Sequence, residues 1–367
     1  MRTFVFTCLL LLGMTTFAQD ANFHIYLCLG QSNMEGNAKV EEQDTVAVDS
    51  RFQVLAAVDC PNLGRTKGNW YKAVPPLARC YTGLTPGDYF GRAMVANLPS
   101  NVRVGIINVA VGGCRIELFD KDNYQFYVET SPDWLKNMVK EYGGNPYARL
   151  VEMAKLAQKD GVIKGILLHQ GESNTNDKDW PLKVKGVYDN LLNDLGLSAA
   201  NVPLLAGEVV HADQNGVCAS MNTIIDSLPQ VIPTAHVISS AGCPAAFDNL
   251  HFTAEGYRML GARYAAKMLS ILGYGDWTSA QNMKLWYNRP AQDWLEALPL
   301  GNSRLGAMVF GGTAREELQL NEETFWAGGP YNNNNPKGLQ VLPEIRRLIF
   351  EGKTLEAQKL IDENYMT

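Results

Sequence analysis

Five short apolar runs, separated by helical patterns, constrain the fold of this chain more than any other feature. The runs are rich in Val, Ile and Leu, each is followed by glycine or a polar turn, and they span residues 24–30, 104–111, 162–169, 202–210 and 236–240. Continuous apolar runs of this length are typical of strands buried on both faces of a parallel sheet. Between them, segments such as 147–157 and 257–272 carry apolar residues at helical spacing, and Thr253 suits the N-cap of the second. The alternation predicts a three-layer α/β domain over about 22–274.

Polar residues suited to catalysis follow several of these predicted strands. Ser32 comes just after the first, Gly113 after the second and Gln170 after the third, while Asp248 and His251 follow the last. In open α/β sheets, ligands bind outside the carboxyl ends of the strands. We therefore expect these residues to converge on one edge of the sheet.

These residue types fit the chemistry of acyl transfer. A serine hydroxyl is a weak nucleophile and needs a base, for which His251 is the candidate. Asp248 precedes His251 by three residues, so its carboxylate can hold the imidazole in one tautomer. A tetrahedral intermediate needs hydrogen-bond donors, and the N–H groups of Ser32 and Gly113 with the Gln170 amide are the candidates.

Each of these signals is weak when taken alone. A serine after a strand is ordinarily a turn residue or an N-cap, and Asp-x-x-His occurs often by chance. A glycine pair is most often a turn, and a lone glutamine can be a buried amide with satisfied partners. The order of the signals, and their placement at successive strand ends, favours a catalytic site.

The motifs Gly-Gln-Ser-Asn-Met, Gly-Gly, His-Gln-Gly-Glu-Ser-Asn and Asp-x-x-His-Phe resemble those of the SGNH (GDSL-type) hydrolases. They are most similar to the carbohydrate esterases that include sialate O-acetylesterases and family 6 acetylxylan esterases. The resemblance covers about 22–274 and implies a flavodoxin-like parallel sheet, the SGNH hydrolase fold. It also implies that Ser32 is the nucleophile, His251 the base and Asp248 its partner, with an oxyanion hole from Ser32, Gly113 and Gln170.

The sequence departs from the wider superfamily at two places. Ser173 stands where an asparagine usually donates to the oxyanion, so the resemblance to the esterase branch assigns that role to Gln170. After Gly113 the esterase branch often has threonine, whereas this chain has Cys114 and Arg115. Arg115 either contacts a sugar, as Glu117 also could, or has no role. The remaining candidates for supporting or substrate-binding residues are Gln31, Asn33, Gly112, Arg115 and Glu172.

The composition changes after residue 275, and the tail has its own resemblance. Segments 286–291, 294–302, 305–312 and 319–330 resemble the opening of family 95 glycoside hydrolases, which act on α-L-fucosides. Asparagines 332–335 predict a loop, and 342–364 a helical pattern. The resemblance covers only the start of that family's N-terminal β-sandwich, so we expect 276–367 to be an incomplete β-rich segment without glycosidase activity. It suggests that the chain is part of an esterase–glycosidase fusion.

The charge balance and the first residues bear on location and partners. Lys and Arg number 32 against 38 Asp and Glu, and without basic runs such a chain binds nucleic acid poorly. Arg2, an apolar run over 4–14 and Ala18 predict a signal peptide at 1–18, although a buried helix or an anchor is the alternative. We therefore expect a secreted or periplasmic protein that is not held at the membrane after cleavage.

Cysteine and histidine spacing indicates neither a metal nor a cofactor. Six of the seven cysteines lie beyond residue 18, and Cys60 with Cys80 is the expected disulfide. Cys28 lies inside an apolar run and is expected to be a buried thiol. No CxxC, His-x-x-x-His or phosphate-binding motif is present in the sequence.

Together these observations predict a secreted serine esterase that removes O-acetyl groups from a carbohydrate. The fucosidase-like tail favours a plant-type glycan such as xyloglucan or xylan, and acetylated sialic acid is the other substrate. One alternative is a carbohydrate-binding module attached to a fucosidase-like glycosidase. Another is a lipase or thioesterase of the same fold, although no apolar lid segment supports it.

Overall fold

A computed structural model describes residues 19–274, 287, 289–302, 304–325, 335 and 337–365. The predicted signal peptide at 1–18, the predicted boundary at 275 and most of the asparagine run lie outside these residues. The chain divides into two compact units, Met1–Met283 and Lys284–Thr367. Among the helices of the described residues, none combines the length and the apolar character needed to cross a bilayer.

The first unit is built on a seven-stranded sheet with the order β3-β2-β4-β1-β5-β6-β7. Its strands are β1 (Asp20–Gly30), β2 (Phe52–Leu55), β3 (Trp70–Lys72), β4 (Arg103–Ala110), β5 (Gly161–His169), β6 (Leu204–Gly207) and β7 (Ala235–Ile238). All neighbouring pairs are parallel except β2 with β3. Because β1 lies between β4 and β5, the carboxyl ends of these three strands flank the point where the strand order reverses, which is where ligands bind in such sheets.

Helices cover both faces of the sheet. They are α1 (Ser32–Glu35), α2 (Glu42–Thr45), α3 (Pro86–Asn97), α4 (Tyr124–Thr130), α5 (Asp133–Glu141), α6 (Pro146–Ala157), α7 (Trp180–Leu195), α8 (Asn222–Ile225), α9 (Leu228–Val231) and α10 (Ala254–Ile271). Alternate residues of β1 enter different cores, so that Leu27 packs with residues of α5, α6 and α7, whereas Tyr26 packs with residues of α3 and α10. The three-layer α/β fold predicted from the sequence is confirmed.

Local predictions in this unit also agree with the structure. Thr253 caps α10 by accepting the Gly256 N–H at 3.1 Å. Cys60 and Cys80 form a disulfide. Cys28 is a fully buried free thiol, and its burial raises its pKa.

The second unit contains a small antiparallel sheet and two helices. The strands β8 (Leu298–Gly301), β9 (Leu305–Val309) and β10 (Leu318–Glu322) pair in the order β10-β9-β8. The helical pattern predicted over 342–364 is confirmed over most of its length. It forms two helices, α11 (Gly338–Phe350) and α12 (Thr354–Asn364), because Gly352, with a φ of 73°, ends the first. The β-rich start of the segment is confirmed.

Candidate active site

Ser32 is placed by a sharp turn at the end of the central strand. Gly30 has φ +150°, and a Cβ there would lie 2.0 Å from the His169 carbonyl oxygen of β5, so the position requires glycine. The next residue, Gln31, donates its N–H to the same His169 carbonyl at 3.0 Å. The turn therefore starts α1 at Ser32, at the carboxyl end of β1.

His251 and Asp248 lie in a tight loop that reaches Ser32. The loop is closed by a bridge between Ala245 and Phe252. Ser32 Oγ lies 2.9 Å from His251 Nε2, and His251 Nδ1 lies 2.7 Å from Asp248 Oδ2. A hydroxyl, an imidazole and a carboxylate thus form a continuous hydrogen-bonded series.

Both oxygens of the Asp248 carboxylate are occupied. Its Oδ1 accepts the N–H groups of Leu250 and His251, each at 3.0 Å. Partial burial acts to raise the pKa of Asp248, but the hydrogen bonds from the His251 ring and these N–H groups outweigh it, and the pKa lies below its ordinary value. Asp248 is therefore ionised at neutral pH and favours the His251 tautomer that carries its proton on Nδ1.

The backbone N–H groups of Ser32 and Gly113 are suited to bind an oxyanion. Gly112 and Gly113 follow β4, and a Cβ on Gly112 would lie 3.8 Å from Ser32 Cβ. Among the described residues, no acceptor is found for the N–H of Ser32 or of Gly113. Both N–H groups are thus available to a ligand.

The Gln170 side chain, predicted to donate to the oxyanion, is hydrogen-bonded within the protein in this structure. Gln170 is 1% exposed, and its amide nitrogen donates to Gln31 Oε1 at 3.0 Å, Asn174 Oδ1 at 2.7 Å and the Cys114 carbonyl at 3.3 Å. Its amide oxygen accepts the Trp180 indole N–H. Because both amide hydrogens of Gln170 are engaged in hydrogen bonds within the protein, they are not free to bind an oxyanion in this structure.

Gln31 instead has the available side-chain amide. Gln31 is 2% exposed, and its Oε1 accepts from Gln170 at 3.0 Å and from the Ser173 N–H at 3.2 Å, so the Nε2 group is the free end of the amide. Within the described part of the chain, Gln31 Nε2 has no hydrogen-bond acceptor. Sequence reasoning named Gln31 only as a supporting residue, because its neighbours come from the distant segment 170–173.

Asn33 and Glu172 connect the nucleophile turn to the histidine loop. Asn33 Nδ2 donates to Glu172 Oε1 at 2.5 Å and to the Leu250 carbonyl at 3.1 Å. Its Oδ1 accepts the Tyr257 hydroxyl at 2.6 Å. Asn33 and Glu172 are both buried, and through these hydrogen bonds they hold the nucleophile turn against the histidine loop.

Glu35 is a supporting residue that the sequence did not reveal. Its carboxylate accepts the Gly112 N–H and lies 2.6 Å from Arg79 Nη2, and Arg79 also pairs with Glu141. Burial raises the pKa of Glu35, although Arg79 acts in the opposite direction. Glu35 ties the glycine loop to the helix that begins at Ser32. The only sequence signal for Glu35 was its position directly after the Gly-Gln-Ser-Asn-Met motif.

Arg115 and Glu117 differ in their surroundings. Arg115 is exposed, and its Nε donates to the Ser173 carbonyl at 3.0 Å. Glu117 is bound by Asn174 at 3.1 Å and Lys183 at 2.8 Å, so the structure commits it to the protein and not to a sugar. Within the described residues, no three His, Cys, Asp or Glu side chains group together as a metal ion requires.

A serine, a histidine and a carboxylate linked in this order, at the end of the central strand of a parallel sheet, are the arrangement of an α/β serine hydrolase. The family described as carbohydrate esterase, sialic acid-specific acetylesterase, matches residues 22–270. The chain belongs to this family of carbohydrate esterases.

Similar proteins agree with this family. A probable carbohydrate esterase of Arabidopsis thaliana is 25% identical over 264 residues, which are 67% of this chain and 90% of the relative. The X-ray structure of an Arabidopsis thaliana protein matches with a TM-score of 0.52 and 22% identity, covering 68% of this chain and 99% of that one. The crystal structure of NanS matches with a TM-score of 0.51 and 15% identity, covering 70% and 99%. These two structures share the fold.

The tail resembles glycosidases. The glycosyl hydrolase family 65 N-terminal domain matches 285–367, whereas the motifs had suggested family 95. Alpha-L-fucosidase 2 of Arabidopsis thaliana is 43% identical over 75 residues, 20% of this chain and 9% of the relative. A probable alpha-fucosidase A of Aspergillus niger is 40% identical over 74 residues, 18% of this chain and 9% of the relative. The chain spans only about a tenth of these relatives, and the predicted fucosidase-like character of the segment is confirmed.

Proposed function

We propose that this chain is a serine esterase that removes O-acetyl groups from carbohydrates through an acetyl-enzyme intermediate on Ser32. The observation that carries the proposal is the unbroken series from Ser32 through His251 to Asp248, with distances of 2.9 and 2.7 Å. The acceptor-free N–H groups of Ser32 and Gly113 beside it support the same reaction.

In the first half-reaction, Ser32 Oγ attacks the acetyl carbonyl carbon while its proton passes to His251 Nε2. Asp248 stabilises the imidazolium that forms. The N–H groups of Ser32 and Gly113 bind the oxyanion of the tetrahedral intermediate. The bond from the acetyl carbon to the sugar oxygen then breaks, and His251 gives its proton to that oxygen.

In the second half-reaction, water replaces the sugar. His251 takes a proton from the water, whose oxygen attacks the acetyl carbon of acetyl-Ser32. The bond to Ser32 Oγ breaks, the proton on His251 passes to Ser32 Oγ, and the acetic acid that leaves ionises to acetate in the solvent. No cofactor is needed for this sequence of steps.

We propose that Gln31 takes the oxyanion role that the sequence had assigned to Gln170. Gln31→Glu is the informative variant, because one carboxylate oxygen still accepts from Gln170 and Ser173 while the N–H₂ donor is replaced by a negatively charged oxygen. We expect kcat for acetyl esters to fall by about 10²–10³-fold. An unchanged kcat, measured with protein of unaltered unfolding temperature, would remove Gln31 from the oxyanion hole.

The substrate proposed is an O-acetylated oligosaccharide or polysaccharide. The family name supports acetylated sialic acid, and the fucosidase-like tail supports a plant-type glycan such as xyloglucan or xylan. Secretion or export to the periplasm is proposed from the signal-like 1–18, and the Cys60–Cys80 disulfide supports an oxidising compartment.

Acetate release tests this function directly. The full chain and its Ser32→Ala variant would be incubated with acetylated xyloglucan oligosaccharides, acetylxylan and O-acetyl sialic acid. We expect release from at least one substrate by the wild type and none by the variant. Binding of an acetylated sugar without acetate release would instead support a carbohydrate-binding module, and a preference for long acyl chains would support a lipase.

We also propose that the domains divide at about 275, and that the second unit belongs to a glycosidase module fused to the esterase. Apolar side chains on its small sheet are more than half exposed, namely Leu300, Leu305, Leu318 and Leu320. A β-sandwich would cover such a face with a second sheet.

A further inference from the structure

Trp134 is an exposed aromatic residue that lies against Gly113, whose N–H group is one of the proposed oxyanion donors. It is the second residue of α5 and is 54% exposed, whereas Leu135 beside it is buried. A Cβ on Gly113 would come within 2.7 Å of Trp134 Cη2 and 3.3 Å of Cζ3. The six-membered ring of the indole therefore occupies the space where Gly113 has no side chain.

This contact places the indole at the rim of the site. Gly113 carries one of the two available N–H groups, and its neighbour Gly112 has its Cβ position 3.8 Å from Ser32 Cβ. A tryptophan carries a large apolar surface, and leaving half of it in water is unfavourable unless a ligand covers it. Among the described residues, no acceptor is found for the Trp134 indole N–H, so this donor is also available to a ligand.

Arg115 adds polar donors to the same rim. It is two residues after Gly113, is exposed, and donates from Nε to the Ser173 carbonyl at 3.0 Å, while Ser173 Oγ donates to the Gly113 carbonyl at 3.0 Å. The hydrogen bond from Arg115 Nε to the Ser173 carbonyl holds the guanidinium group next to Gly113. A flat aromatic face beside a cationic donor suits a sugar ring, with its C–H face and its hydroxyl edge, better than an alkyl chain.

We propose that Trp134 is the platform on which the acetylated sugar ring stacks, and that Arg115 donates hydrogen bonds to that ring's oxygen atoms. The proposal rests on the proposed function, since it names how the same site holds its substrate. C–H groups on a sugar face carry partial positive charge and are attracted to the negative face of the indole. Trp134 thereby makes the site select sugar acetates over simple acetyl esters.

The test compares Trp134→Ala, Trp134→Phe and the wild type on two acetyl esters. One is the best acetylated sugar of the wild type, and the other is ethyl acetate, which has no ring to stack. We expect Trp134→Ala to raise KM for the sugar by about tenfold with little change in kcat, and to leave kcat/KM for ethyl acetate within about twofold. Trp134→Phe restores part of the lost affinity. Trp294→Ala removes an equally exposed tryptophan of the second unit and serves as the matched control.

The outcomes separate this proposal from the proposed function. If the wild type releases no acetate from any sugar, the proposed function fails. If the wild type is active and Trp134→Ala keeps its KM for the sugar, only the platform is overturned. If Trp134→Ala loses activity equally on both esters, Trp134 positions Gly113 and does not bind the sugar, which also overturns the platform.

Discussion

Ser32→Ala is expected to lower kcat for acetylated sugars by at least about 10⁴-fold, because no other group can form the acetyl-enzyme. The Ser32 hydroxyl is hydrogen-bonded to His251 Nε2, and the start of α1 is set by the backbone of Gly30 and Gln31. The fold should therefore persist, with an unchanged unfolding temperature. Initial rates of acetate release and a thermal melt provide the measurement.

Ser220→Ala is the control for this variant. The Ser220 hydroxyl also makes a side-chain hydrogen bond, to Asn176 Oδ1 at 3.2 Å, but it is exposed and lies outside the series. Its loss should leave kcat unchanged. Turnover by Ser32→Ala within tenfold of the wild type would mean that another group attacks the ester.

Asp248→Asn is expected to lower kcat by about 10³–10⁴-fold with little change in KM. The amide oxygen can still accept the N–H groups of Leu250 and His251, but the amide N–H₂ then faces His251 Nδ1. This reverses the favoured tautomer, so that a proton on Nε2 blocks the acceptance of the Ser32 proton. Because the pKa of Asp248 is lowered, the wild-type residue is charged at neutral pH, and the variant removes that charge.

A second histidine–aspartate pair supplies the control. His211 Nδ1 lies 3.3 Å from Asp213 Oδ1 outside the catalytic series, and both side chains are about a third or more exposed. Asp213→Asn removes the same charge from a similar pair and should leave kcat within about twofold, since exposed pairs contribute little. Equal losses in the two variants would contradict a specific role for Asp248.

The sequence predicted the long strands better than the short ones. β1, β4 and β5 are continuous apolar runs, and their predicted bounds differ from the observed ones by a few residues at most. The strands β2 and β3 were missed because four or three residues carry too little pattern, and β3 pairs antiparallel at the sheet edge. The helix break at Gly352 was missed because one glycine within a helical pattern is often tolerated.

The sequence was informative about which site residues meet, and less so about what each one does. Ser32, Asp248 and His251 follow strands whose ends must share one edge, so topology alone predicts their approach. The hydrogen bonds of Gln170 could not be predicted, because its partners are Trp180 on α7 and Asn174, and no spacing rule gives those contacts.

Glu35 illustrates the same limit. Its role depends on Arg79, 44 residues away, and on the glycine loop that the fold brings alongside. Trp134 likewise acquires its position only because α5 packs next to Gly113. Contacts of this kind depend on packing between distant segments and have no local sequence signal.

Mass spectrometry of the acid-quenched enzyme would show whether Ser32 carries the acetyl group during turnover. The wild type would be mixed with its best acetylated sugar, quenched within the first turnovers and digested with a protease. We expect one added acetyl group on the peptide that contains Ser32. It should be absent in Ser32→Ala and should accumulate when deacylation is slowed. Rapid acetate release from a wild type that never carries an acetyl group on Ser32, even when deacylation is slowed, would contradict the proposed acetyl-enzyme intermediate.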